Sequence, residues 1–149
     1  MEYLLTFDET AIERYAEHYF KVHPKAKKKP IEHPYHPSIN QWMIMKRPAM
    51  NAMKQKWKDF MVWLVEDQGY SNLRIERCDV EVMTYYYTNR RHDPDNSVPK
   101  FVLDGICDSG MLVDDDSKHI ERLILRCGVD PANPRTEIKL IVKEQLNNG

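Results

Sequence analysis

Cys78-Asp79-Val80-Glu81-Val82-Met83-Thr84-Tyr85-Tyr86-Tyr87 is the stretch whose reading decides the fold. Cys78, Val80, Val82, Thr84 and Tyr86 alternate with Asp79, Glu81, Met83 and Tyr85, the period of two that marks a β-strand, predicted here over 73–87. Working downstream, Asn96 or Asp95 is placed to cap a helix over about 97–109, with Pro99 tolerated in its first turn and Val98, Phe101, Val102 and Ile106 as its apolar side. Gly110 stops that helix, and Met111-Leu112-Val113 leads into Asp114-Asp115-Asp116. Two more strands are predicted over 120–129 and 136–145, joined by the turn Asp130-Pro131-Ala132-Asn133-Pro134. Upstream, 2–7 reads as a strand broken at Asp8, and Thr10 with Glu13 is a capping-box pattern for a helix through about 22. Pro24, Pro30, Pro34 and Pro37 forbid a regular helix, so the basic run between them is an extended connector. Pro48 suits a first helical turn. Met50, Met53, Trp57, Phe60, Met61 and Leu64 then follow at helical spacing until Gly69. The order strand, helix, helix, strand, helix, strand, strand predicts an α+β fold with helices packed on a mixed sheet.

At 149 residues, with 42% hydrophobic and 30% charged side chains, the chain is sized for one globular domain. Cys78, Cys107 and Cys127 are odd in number and form no Cys-x-x-Cys pair, which argues against a disulfide framework or zinc knuckle. The start lacks the basic and long apolar run of a signal peptide, and no stretch is of membrane-spanning length; a cytoplasmic protein without membrane partners is expected. The formal net charge is −1, yet its distribution is uneven. Lys21, Lys25, Lys27, Lys28, Lys29, Lys46, Arg47, Lys54, Lys56 and Lys58 face only Glu32 over 21–58, whereas seven aspartates face only Lys100 over 93–116. A basic arm and an acidic pocket fit a metal-dependent nuclease, whose surface holds phosphate while its site holds cations.

The acidic pocket is drawn from Arg90-Arg91-His92-Asp93-Pro94-Asp95-Asn96-Ser97-Val98-Pro99-Lys100 and from Asp114-Asp115. Converging carboxylates make a hard oxygen site suited to Mg²⁺, and an adjacent lysine offers positive charge to an anionic transition state. Two carboxylates separated by one residue, such as Asp93 and Asp95, can project to one side in an extended chain. Asp114 and Asp115 return at the far end of a helix about 20 Å long at roughly 1.5 Å per residue. Convergence therefore requires the chain after Gly110 to double back along that helix. Asp104, Asp108 and Asp116, taken singly, read as caps and solvated turn residues. A calcium loop is rejected, because Val98 stands where glycine is required and Asp104 where a bidentate glutamate is.

The combination Arg90-Arg91-His92-Asp93-Pro94-Asp95-Asn96, Lys100, Leu103-Asp104, Gly110 and Val113-Asp114-Asp115 resembles the RusA-type Holliday-junction resolvases, and Pro37-Ser38-Ile39-Asn40 is similar to that family's upstream Pro-Ser-x-Asn segment. The resemblance covers about 37–145. It implies a two-layer fold and homodimeric, Mg²⁺-dependent endonucleases (Mn²⁺ substituting) that cut four-way DNA junctions by paired symmetric incisions, often encoded by phages or prophages. By motif it implies Asp93, Asp95 and Asp115 as essential metal-binding carboxylates, Asp114 as an auxiliary acid and Lys100 as the catalytic lysine. The Asp95 to Lys100 interval is one residue longer than in the best-known members, and about 8–36 reads as a helical and basic insertion.

Phosphate contacts are expected from Lys25, Lys27, Lys28, Lys29, Lys46, Arg47, Lys54, Lys58, Arg90 and Arg91. Tyr85, Tyr87 and Trp42 are candidates to stack on unpaired bases, with Tyr86 read as core. His92 is a candidate phosphate contact, while His33 and His36 lack convincing metal partners. Two rival readings stand beside the resolvase. One pairs Pro94-Asp95 with Glu137-Ile138-Lys139 in the manner of a PD-(D/E)xK nuclease. The other is a branched-DNA-binding module without catalysis.

Overall fold

The computed structural model describes residues 1–89 and 99–143. Its elements are β1 (Glu2–Asp8), α1 (Glu9–Val22), α2 (Ile39–Met43), α3 (Arg47–Asp67), β2 (Cys78–Tyr86), α4 (Lys100–Asp108), β3 (Ile120–Val129) and β4 (Arg135–Val142). The strands form one sheet in the order β1-β4-β2-β3. β4 lies antiparallel to both β1 and β2, whereas β3 runs parallel to β2. The parallel pair requires a crossover, which α4 and the chain around it supply. The expected α+β architecture with helices on a mixed sheet is therefore present.

The period of two in β2 has the predicted consequence. Cys78, Val80, Val82 and Thr84 are buried, and so are Leu5 and Phe7 of β1 and Thr136, Ile138 and Leu140 of β4. Against them stands the stripe of α3, namely Trp57, Phe60, Met61, Leu64 and Val65. Phe7 meets Phe60 edge-on at 5.3 Å between ring centroids, and Tyr15 of α1 meets Phe60 at 5.1 Å and Trp63 at 5.3 Å. Helix α1 thus contributes Ala11, Ile12, Tyr15 and Ala16 to the core, although its residues fall in the segment read as an insertion. The other sheet face carries charge. Asp79, only 1% exposed, is held by Arg122 at 2.7 Å and Lys143 at 3.0 Å, and Glu81 by Arg126 at 3.1 Å.

Local departures from the sequence reading have local causes. The cap of α1 is Asp8, whose Oδ1 accepts from the Ala11 amide at 2.9 Å, not Thr10 with Glu13. Strand β1 runs straight into the helix, so the aspartate at the junction meets the free amides first. Helix α4 begins at Lys100 after Pro99, later than the start near 97 that the sequence predicts; the expected caps Asp95 and Asn96 lie outside the described residues. The short helix α2 was not expected; Ser38 caps it, its Oγ accepting from the Gln41 amide.

Candidate functional site

Helix α4 is held against α3 by a glycine. A Cβ on Gly105 would lie 2.6 Å from Met61 Cβ and 3.1 Å from the backbone of Lys58, so only hydrogen permits this approach. The closeness sets two ion pairs with matching helical spacing, Lys54 with Asp104 at 3.9 Å and Lys58 with Asp108 at 2.9 Å. The Asp108 hydrogen bond raises the Lys58 ammonium above its ordinary pKa.

Gly110 then turns the chain. Its φ is +88°, and a Cβ there would lie 2.4 Å from the Ser71 carbonyl oxygen, so this position requires glycine on both counts. Met111 and Leu112, both buried, are pinned to the loop before β2. The Ile75 amide donates to Met111 O at 2.9 Å, and the Val113 amide donates to Ile75 O at 3.0 Å. The chain leaving this bridge carries Asp114 and Asp115 back beside α4. Ligand atoms of Cys107, Asp114 and Asp115 all lie within 4.8 Å of one another. Burial, then the charge of Asp104, then Asp114 raise the Asp115 carboxyl above its usual range. Asp115 is thus close enough to feel Asp104, one helical turn from Lys100. The segment after Gly110 therefore returns to the C-terminal half of α4, while Asp93 and Asp95, on which the expected convergence also depends, lie outside the described residues.

The thiol of Cys107 is pushed up to about 12, first by burial and then by Asp115, Asp114, Asp104 and Asp108. In the metal-free protein the thiol stays protonated at neutral pH. The carboxylate oxygens of Asp114 and Asp115 beside it are hard donors, of the kind that Mg²⁺ or Mn²⁺ takes. Asp116 plays the turn role expected of it. Its Oδ1 accepts from the Lys118 amide at 3.0 Å and meets His119 Nδ1 at 2.5 Å, which holds the carboxyl below its usual range. Asp114, Asp116 and His119 form a second close group, all exposed or half-buried.

No protein-family model matches this chain, and no curated protein matches it.

Of the residues singled out in the sequence, Lys100, Asp114 and Asp115 fall on α4 and the returning segment, all exposed. Asp93, Asp95, His92, Arg90 and Arg91 lie outside the described residues. Lys25, Lys27 and Lys28 are exposed on the connector, and Lys46 and Arg47 at the start of α3. Lys29 pairs with Glu13, while Lys54 and Lys58 face the aspartates of α4. The Arg135 guanidinium covers Tyr85 at 3.9 Å, Tyr86 packs on Tyr35 and Trp42 on Phe101, whereas Tyr87 is 61% exposed. The neighbouring charge of Asp104 and one member of the cluster, Cys107, were missed as such. Their signal was helical spacing alone, four and seven residues after Lys100 on one helix face.

Proposed function

We propose that the protein is a Mg²⁺-dependent, structure-selective endodeoxyribonuclease that resolves four-way DNA junctions by paired symmetric phosphodiester hydrolysis as a homodimer. The observation that carries this reading is the return of Asp114 and Asp115 to the helix that Lys100 opens. Asp114 and Asp115 would hold the cation together with Asp93 and Asp95, which the family resemblance assigns. A bound Mg²⁺ would polarise the scissile phosphate and make its water more acidic. Lys100 would balance the negative charge that builds on the phosphoryl oxygens, a role that needs a fixed cation and no proton transfer. Asp104 adds negative potential beside Asp115 and favours occupancy by a cation.

The rival lysine is placed differently. Glu137 and Lys139 alternate with buried Ile138 and Leu140 on β4, so they project from the sheet face opposite the helices. Asp114 and Asp115 stand beside the helical layer, an arrangement that favours Lys100 as the partner of the carboxylates.

The test is a labelled synthetic four-way junction beside a linear duplex of matching sequence, each incubated with Mg²⁺ and with EDTA. Symmetric nicks confined to the junction and dependent on the metal are expected, with Asp115→Asn and Lys100→Ala each slowing them about a hundredfold or more. Tight junction binding without incision would leave the binding-module reading in its place. A dilute-solution mass showing only monomer would count against paired incision.

A further inference from the structure

A groove with a cavity of about 390 Å³ lies between the connector that follows α1, helix α2 and the first turns of α3. That volume is within the range of sites that enclose one small ligand. Its lining is apolar at the bottom, where Ile31, Met53 and Trp57 sit, and aromatic at one side. There the rings of His33 and Tyr35 lie nearly parallel, 6.2 Å apart and inclined by 17°. Lys28, Lys29 and Lys56 line the groove against the single acid Glu32. Lys29 is engaged by Glu13, but Lys28 and Lys56 are exposed and have no ion pair among the described residues. A surface of this kind has two demands to satisfy, a flat apolar group below and negative charge above.

We propose that the groove holds one unstacked nucleotide of a DNA strand, its base against the apolar floor and the His33–Tyr35 pair, its phosphate at Lys28 and Lys56. The inference rests on the nucleic-acid reading above, though not on the aspartate site. Every base offers a flat π-face, so stacking on aromatic side chains accepts any sequence, and lysines supply the phosphate contact without reading bases. A hydrophobic peptide would match the floor but leave the surplus of lysine unanswered, which is why DNA is the better occupant. The groove also reaches toward the start of α4: Gln41 of α2 lines it, and Trp42 of the same helix packs on Phe101 at 5.9 Å, next in the chain to Lys100.

The experiment measures binding of the full chain to a fluorescein-labelled deoxythymidine decamer in EDTA, where cleavage plays no part. Ala52 and Lys56 are exposed on α3 and line the groove, so Ala52→Trp fills it and Lys56→Gln removes rim charge with little demand on the core. Each should weaken the decamer at least tenfold. Lys118→Gln, an exposed base outside both the groove and the basic arm, should stay within threefold of the parent. A decamer carrying 5-iododeoxyuridine should photocrosslink to the peptide containing His33 and Tyr35. If Ala52→Trp melts well below the parent, Lys56→Gln and the crosslink map decide. The proposal is overturned if the parent does not bind the decamer, if both groove variants bind it within twofold, or if the crosslinks map elsewhere. It is equally overturned if an amphipathic helical peptide binds in an Ala52-dependent way while the decamer does not. Groove-dependent binding with no junction cleavage in Mg²⁺ would strike the nuclease reading alone. Cleavage with groove-independent binding would strike this proposal alone.

Discussion

Asp115 carries opposed demands. Burial raises its carboxyl, and without a cation the nearby Asp104 and Asp114 raise it further. Asp115→Asn should therefore melt no lower than the parent in EDTA, because it removes repulsion. Added Mg²⁺ should stabilise the parent and barely move the variant. At a hundred times its Kd a bound ion contributes about 2.7 kcal/mol, or roughly 5–10 °C for a domain of this size. A parent whose Tm is indifferent to Mg²⁺ would remove the metal site. His36 gives a separate test of single-residue physics. It is 7% exposed, and neither ring nitrogen has a hydrogen-bond partner. Burial pushes it down to about 4, opposed in part by the nearby Pro37 carbonyl, which does not meet hydrogen-bond geometry. The unfolded chain, titrating near the ordinary value of about 6.5, binds the proton more readily. The stability tied to His36 is thus fully present above that value and is lost as pH falls through about 4. The loss amounts to about 3 kcal/mol at 1.36 kcal/mol per unit. Urea unfolding at pH 7.0 and 4.0 should show this component in the parent and not in His36→Phe. An equal slope in both would mean that His36 is not buried as a neutral ring.

At the scale of elements, the contact between α3 and α4 orders the site. Gly105→Ala would drive a methyl group into Met61 and the Lys58 backbone, costing about 1–3 kcal/mol as overpacking does. It would also move Asp104 and Asp108 off their lysines, so it should weaken Mg²⁺ stabilisation as well as lower the Tm. A variant that lost stability but kept full Mg²⁺ response would show that the helix spacing does not set the carboxylates. This contact also marks where the sequence stopped being legible. The strand at β3, the long stripe of α3 and the alternation of β2 are local patterns of many residues, and each could be read along the chain. Helix α2, five residues long, is too short to show a period; only Ser38-x-x-Gln41 announced it. Asp104 read as a solvated residue because its importance comes from neighbours brought in by Gly105, Gly110 and the pinning of Leu112 to Ile75. None of those contacts is written in the spacing of Asp104 itself.

Across the whole molecule, the helix and strand order predicted a mixed sheet, but not that the last strand would insert between β1 and β2. The alternation of β4, with Thr136, Ile138 and Leu140 buried, puts Glu137 and Lys139 on the sheet face away from the helices. Charge is likewise a property of the assembled surface and not of residue counts. Lys54, Lys58 and Lys29 belong to the basic arm in sequence, yet the fold gives each a carboxylate, so little of their charge is left for DNA. Lys25, Lys27 and Lys28 are exposed on the connector and have no ion pair among the described residues. Each phosphate contact contributes about 0.9 to the slope of log affinity against log salt. Replacing Lys25, Lys27 and Lys28 with glutamine should therefore flatten the slope for a four-way junction by up to about 2.7. Lys54→Gln with Lys58→Gln should leave that slope nearly unchanged while lowering the Tm, because it leaves Asp104 and Asp108 without partners beside Asp115. The reverse result, a flattened slope from the α3 pair and none from the connector, would mean that DNA displaces the aspartates and takes over both lysines. The ion pairs between α3 and α4 would then be contacts of the free protein that open on binding.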